Sequence, residues 1–296
     1  MAEAQLSRLR SWPQSRASVV KRNRRFAHKA LVYLLLVGLG ALYLLPFLWA
    51  LSTSLKPTFL LFRFPPMWIP NPPHWSNYAG ALDYIPFLQY LQNTLTITVP
   101  ATIGAVASSA LVGYSFSRID WPGRNVLFIV LLCTMMIPYQ VTMVPLFILF
   151  SWLHWVNTFK PLIIPAFFGV PFFIFLLRQF FMTIPRELSD AARVDGCTEF
   201  GIFRRIVLPL SRPALTTVAL FSFIGNWNDF LGPLIYLSDD TKYTLAVGLR
   251  NFQQQSGSEW ALLMAASIVM MTPIIVLFFF AQKTFIQSIT LTGIKG

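Results

Sequence analysis

Six long apolar runs separated by shorter polar stretches dominate this 296-residue chain. They cover residues 30–51, 87–116, 125–150, 161–181, 213–237 and 260–285. Each reaches the roughly 20 residues that a helix needs to cross the hydrocarbon core of a bilayer. The pattern predicts an all-α integral membrane fold with six transmembrane helices. Prolines fall inside most runs: Pro46, Pro100, Pro138, Pro145, Pro165, Pro171, Pro233 and Pro273. Each removes a helical N–H and frees a carbonyl, so kinks are expected where neighbours or water satisfy it. The third run, with Pro138 and Pro145, is the one most open to a break. The first run is longer than a signal-peptide core and lacks a small-residue cleavage site, so it reads as an uncleaved helix.

Composition agrees with the pattern. The chain is 55% hydrophobic and 16% aromatic, with a mean hydropathy of +0.60. Its 11% charged residues fall well below the roughly 25% of a soluble domain. The net charge of +12 lies outside the apolar runs, and no nucleic-acid-binding motif accompanies it, so no nucleic-acid partner is expected. Cys133 and Cys197 are far apart and form no CxxC, and the three histidines form no HExxH. No metal site or catalytic residue is expected, and both cysteines read as small packing residues.

The positive charges orient the runs. Residues 1–29 form a basic tail carrying Arg8, Arg10, Arg16, Lys21, Arg22, Arg24, Arg25 and Lys29. With that tail in the cytoplasm, eighteen of the 23 Lys and Arg residues lie inside and five outside. The positive-inside rule therefore places both termini in the cytoplasm, with the tail against the anionic inner leaflet. The loops at 52–86 and 239–259 then lie outside. The first is rich in Pro and aromatics suited to the headgroup region. The second is polar enough either to be a solvated turn or to meet a partner.

One cytoplasmic segment, about 185–210, is unlike its greasy surroundings. Pro185 favours a first helical turn, and Glu187 and Asp190 complement the helix dipole there. The spacing puts Leu188, Ala191 and Ala192 on one thin face. Gly196 suits a left-handed helix stop. Thr198 can cap a second short helix carrying Phe200, Phe203 and Val207, ended by Leu208-Pro209. The predicted hairpin is either an amphipathic connector on the membrane surface or a docking face for a cytoplasmic protein. Within the fifth run, Asp229 is an intramembrane acid flanked by Asn226 and Asn228. Such a group is a candidate for a pathway or gate, or else it anchors helix packing. Gln89, Asn93 and Gln140 are weaker candidates, expected to act as interhelical glue.

The spacing Asp190-Ala191-Ala192, three residues, Gly196, nine residues, Ile206-Val207-Leu208-Pro209 resembles the EAA signature of ABC importer permeases, with Asp in place of the usual Glu. "SLKP", "FPPMWIPNPPHWSNY", "NTL", "MIPYQVTMVPL", "FLLRQFFMTIPREL", "WNDFLGPLIYL", "YTLAVGL" and the terminal "TGIKG" resemble the carbohydrate permeases of the maltose type, the smaller permease subunit most closely. The resemblance covers nearly all of the chain after residue 29. It implies a type I ABC importer permease fold over about 30–290, a coupling hairpin at 185–210 and a cytoplasmic tail at 291–296. The implied partners are a second homologous permease, two copies of a cytoplasmic ATPase, an extracytoplasmic solute-binding protein, a carbohydrate substrate and the membrane of a prokaryote. The implied ATPase-coupling residues are Glu187, Asp190, Ala191, Ala192, Gly196, Phe200, Ile206, Leu208 and Pro209. Thr292, Gly293, Ile294, Lys295 and Gly296 are implied to reach the ATPase interface, and the 239–259 loop to touch the binding protein. The family's sugar site lies mainly in the partner permease, which implies that this subunit supplies walls and gating.

No Gly-Lys pair occurs, so the chain lacks a P-loop. ATP and Mg are expected to belong to the ATPase partner, with no cofactor bound here and no enzyme activity in this subunit. An ion-coupled secondary transporter is the rival reading. It predicts an internal repeat and more intramembrane ionisable groups than Asp229 alone supplies. A membrane-embedded enzyme would need a clustered acid, base or metal site, and the sequence shows none.

Overall fold

The computed structural model describes the backbone of residues 14–254 and 257–293, with side chains between 28 and 253 and between 259 and 282. Four of its helices are long and apolar enough to cross a membrane, or six if two sharply bent pairs each count as one span. The first helix, α1 (Gln14–Ser54), starts well inside the predicted basic tail and runs unbroken through its second half. Residues 1–13 lie outside the described residues. A short helix α2 (Ser76–Tyr84) leads into α3 (Phe87–Arg118), which continues past Pro100 without interruption.

The third predicted run is broken. It forms α4 (Arg124–Thr134) and α5 (Tyr139–Trp152), bent by 97°. Pro138 is the cause: it is extended and precedes the first turn of α5, whereas Pro145 sits inside that helix. The fourth run is α6 (Lys160–Ile163), a 3₁₀ stretch at Ile164–Phe168, and α7 (Pro171–Thr183). The polar segment forms α8 (Arg186–Val194) and α9 (Glu199–Leu210), and an 80° bend leads from α9 into α10 (Arg212–Trp227). The fifth run also breaks, at 228–230, before a short helix α11 (Leu231–Tyr236). After α12 (Leu245–Gly248) and a two-residue antiparallel pairing of Gln253–Gln254 with Gly257–Ser258, α13 (Trp260–Gly293) closes the fold.

The helix α3 is the centre of the packing. In its apolar window 39% of residues are buried, against none in that of α1, whose leucines and Tyr43 face outward. Two cores lie along α3. At one end Tyr114, Leu177, Phe181, Ile202, Phe203, Val207 and Val218 join α3, α7, α9 and α10. At the other, Tyr90, Trp227, Leu245, Phe252 and Leu263 join α3, α10, α12 and α13. We call these the hairpin end and the loop end.

Candidate functional site

The hairpin owes its shape to its turn. The N–H of Cys197 reaches the carbonyl of Ala192 (2.9 Å) and that of Gly196 reaches Arg193 (3.0 Å). This pair of bonds is a Schellman stop, and Gly196 takes the left-handed φ of +80° that it demands. Cys197 packs beside Ala192 on the hairpin-end core, completing the motif's apolar contact. Thr198 then caps α9 by accepting from the N–H of Gly201 (3.2 Å). Pro209 does not end the second helix. A π turn at Phe203–Val207, in which the N–H of Leu208 bonds the Phe203 carbonyl, carries the helix on to Leu210.

The predicted face of α8 is split. Ala192 is buried, as is Ser189, while Ala191 and Leu188 face out. Successive helical residues stand about 100° apart, so the paired alanines cannot both face a partner squarely. Val194, 88% exposed, joins the outward face at i+3 from Ala191, and Phe200 is 64% exposed on α9. The spacing that placed Ala191 could have found Val194 too. Ile206 and Leu208 pack against the hairpin-end core, and Glu187, Asp190 and Pro209 are exposed.

Charge braces this hairpin from behind. Arg193 bonds Asp190 (2.6 Å) and Glu199 (2.7 Å), stapling α8 to α9. The second oxygen of Glu199 accepts from the Tyr114 hydroxyl of α3 (2.8 Å). The hydrogen bond from Arg193, with that from Tyr114, holds the Glu199 carboxyl below the usual range. Beneath, the buried Arg118 of α3 donates to the carbonyls of Phe181 (2.6 Å) and Ile184. A charged cavity of 330 Å³ lies between the hairpin and the turn after α3, lined by Arg118, Asp120, Arg186, Ser189, Asp190 and Glu199. Arg118 and Tyr114 went unnoticed in the sequence because nothing local marks a lone Arg at a helix end as buried.

At the loop end, Gln89 and Asn93 do not bridge helices. Gln89 donates to the Thr241 carbonyl (3.0 Å), and Asn93 to those of Thr241 (2.8 Å) and Tyr243 (3.0 Å). The buried Thr94 hydroxyl accepts from the N–H of Leu245 (2.9 Å). Asn157 accepts from the N–H groups of Ser238 and Asp239 (3.2 and 3.1 Å). The 239–259 loop is therefore tied to α3. Its apolar residues Leu245, Val247 and Phe252 are buried, so the segment is more than a solvated turn. Gln140 is exposed.

Asp229 sits at the break between α10 and α11. One carboxylate oxygen accepts from the N–H of Gly232 (3.1 Å). A Cβ on Gly232 would lie 2.4 Å from the other oxygen, so a larger residue there would displace the carboxylate. Asp229 lines a cavity of 390 Å³. Its flanking asparagines do not: Asn226 bonds the Ser222 carbonyl (2.8 Å) and Asn228 that of Ile224 (3.0 Å), each back along its own helix. At the C-terminus the backbone of Thr292 and Gly293 is helical, and Ile294, Lys295 and Gly296 lie outside the described residues. Among the described residues no group of His, Cys, Asp and Glu is arranged to hold a metal ion.

Residues 90–291 match the family described as binding-protein-dependent transport system inner membrane component. The chain is 36% identical over 265 residues to the arabinooligosaccharides transport system permease protein AraQ of Bacillus subtilis, covering 87% of this chain and 92% of the relative. It is 29% identical over 252 residues to the diacetylchitobiose uptake system permease protein DasC of Streptomyces coelicolor, covering 85% and 91%. The fold matches a solved bacterial ABC transporter involved in the import of the acidic polysaccharide alginate, with a TM-score of 0.77 at 24% identity over 88% of this chain and 98% of that one.

Proposed function

The chain belongs to the binding-protein-dependent transport system inner membrane component family, and from that premise we propose that it is the permease subunit of an ATP-driven carbohydrate importer. It lies in a prokaryotic inner membrane with both termini in the cytoplasm. Beside a second homologous permease it forms half of the translocation path. Two ATPase subunits, which bind ATP and Mg, dock on the hairpin end. A solute-binding protein meets the loop end. The sugar specificities named for the AraQ and DasC relatives support a carbohydrate cargo.

The observation that carries this reading is the hairpin itself. It presents Val194 and Phe200, with Glu187 and Asp190 beside them, on short helices braced by Arg193, Glu199 and Arg118. An exposed apolar surface on a rigid polar-rimmed element is the anatomy of a protein-docking face. Glu187, Asp190, Ala191, Val194 and Phe200 form the contact. Ala192, Ile206 and Leu208 set its height from within, Gly196 sets its turn, and Pro209 lies where the helix leaves the surface. The terminal Thr292, Gly293, Ile294, Lys295 and Gly296 add a second contact to the ATPases.

Gly196 provides the test. A Cβ there would meet nothing within 4 Å, so a substitution acts through backbone conformation alone. Gly196→Val, β-branched at positive φ, is expected to lower both sugar uptake and ATPase co-purification on the order of tenfold. Gly196→Asn, which tolerates the left-handed region, should retain most of both. Uptake and association at wild-type levels in the Val variant would remove the docking role.

A further inference from the structure

Three interruptions of helix in this protein meet at one place. The 97° break of the third span delivers Tyr139 and, on α5, Leu146 and Phe150. The change to 3₁₀ winding in the fourth delivers Pro165. The break at 228–230 in the fifth delivers Asp229 and Tyr236. All six line the same 390 Å³ cavity. Its volume falls in the range of about 300–1,000 Å³ typical of small-molecule sites. Irregular backbone at membrane depth is tolerated only where protein buries it or where it lines a wet cavity. Three such irregularities around one cavity are the arrangement expected of a buried polar site.

The lining has carbohydrate chemistry. Phe150 stacks on Trp155 with centroids 5.6 Å apart and meets Tyr236 edge-on at 5.3 Å, so the aromatic wall is closely packed. Rings of this kind suit the C–H faces of a sugar. Asp229 supplies acceptor oxygens for sugar hydroxyls. The Tyr236 hydroxyl is buried without a hydrogen bond of ordinary length and angle, and its polar neighbours are the Tyr139 hydroxyl and Asp229. An apolar, aromatic wall with a few convergent polar groups is the common design of a small-molecule site.

We propose that this cavity is a carbohydrate-contact station on the translocation path within this subunit, with Asp229 and Tyr236 hydrogen-bonding the sugar and Tyr139 and Phe150 walling it. The inference rests on the carbohydrate reading above. It differs from the expectation that recognition belongs to the partner permease. It also gives Asp229 two roles, since one oxygen caps the start of α11.

The test uses the full importer, with its second permease, ATPases and binding protein, reconstituted in liposomes. ATP-driven uptake by the wild type is measured first with an arabinooligosaccharide mixture, diacetylchitobiose and maltose as probes. In a Cys133→Ser, Cys197→Ser background, Leu146→Cys is then exposed to a charged, membrane-impermeant thiol reagent. Leu231→Cys on another wall serves if the first variant does not assemble. The expected result is modification that slows at least about fivefold when the binding protein delivers a transported sugar, as for a site occluded most of the time. Tyr236→Phe should lower uptake at saturating sugar on the order of tenfold, the effect of one lost buried hydrogen bond. A cysteine that is never modified, or is modified equally fast with and without transported sugar, overturns the proposal while leaving the carbohydrate reading intact. A wild-type importer that moves none of the three probes and no other mono- or oligosaccharide overturns both.

Discussion

The two ends of α3 hold unlike structures by unlike means. At the hairpin end the ties are charged. Arg118 grips two carbonyls, and Tyr114 bonds a carboxylate that is itself paired with Arg193. At the loop end the ties to α3 are neutral: amides and hydroxyls of Gln89, Asn93 and Thr94 bond the loop backbone, above buried Leu245 and Phe252, while the charged Lys242 binds Asp239 and the Asn157 carbonyl away from α3. A hydrogen bond to a charged group is worth more than a neutral one, so each tie lost at the hairpin end costs more than one lost at the loop end.

The largest expected effect breaks the ionic side. Arg118→Met leaves the Phe181 and Ile184 carbonyls without their donor and should cost about 2–4 kcal/mol, the range for hydrogen bonds from a buried charged group. Thermal melting of the purified complex should fall, and trypsin should cut faster at Arg204 and Arg205 with cleavage at Lys242 unchanged. Faster cleavage at both sites would erase the distinction between the ends. Next is Asn93→Leu, which frees the Thr241 and Tyr243 carbonyls at a partly exposed rim and should cost about 1 kcal/mol. Cleavage should speed at Lys242 alone, and association with the binding protein should weaken while ATPase co-purification holds. Tyr114→Phe removes one bond to Glu199 and should cost about 0.5–1.5 kcal/mol, read as a small rise in cleavage at Arg204.

The smallest effect is one of pH. Glu199 is held below the ordinary carboxylate range, chiefly by Arg193. Its contribution is therefore fully present above the unfolded value of about 4.3 and is lost only as pH falls through the lower folded value. Trypsin does not work so low, so hydrogen exchange of the hairpin amides is the measure. Protection should stay flat from pH 8 to 5 and fall in more acid solution, and Glu199→Gln should remove the acid step. A step near neutrality would mean that another group controls the staple.

Much of the scaffold was legible in the sequence because membrane spans announce themselves by length and hydropathy. The hairpin turn was legible too, since Gly196 and Thr198 act on the backbone next to them. The break at Pro138 showed as a proline before a helix. The break at 228–230 showed only as Pro233 just beyond it, because no Gly or Pro stands at the break itself and the side chain of Asp229 organises the restart. The partners of Asn93 and Gln89 lie about 150 residues away, beyond any local pattern. The inward turn of Ala192 depends on which side of α8 meets α3 and α7, a tertiary fact. The cavity at Asp229 exists only because three separate interruptions coincide.

One consequence of the long central helix remains. Its 32 residues span about 48 Å at normal helical rise, and both the hairpin and the 239–259 loop are fastened to it directly. A beam of that length converts angle into distance: a tilt of about 5° at one fastening shifts the other by about 4 Å. No slack segment stands between the two loads. The beam has one soft point, Pro100, where an N–H is missing from the ladder. A joint there would let the two fastenings swing independently, and a straight beam would make them move as one.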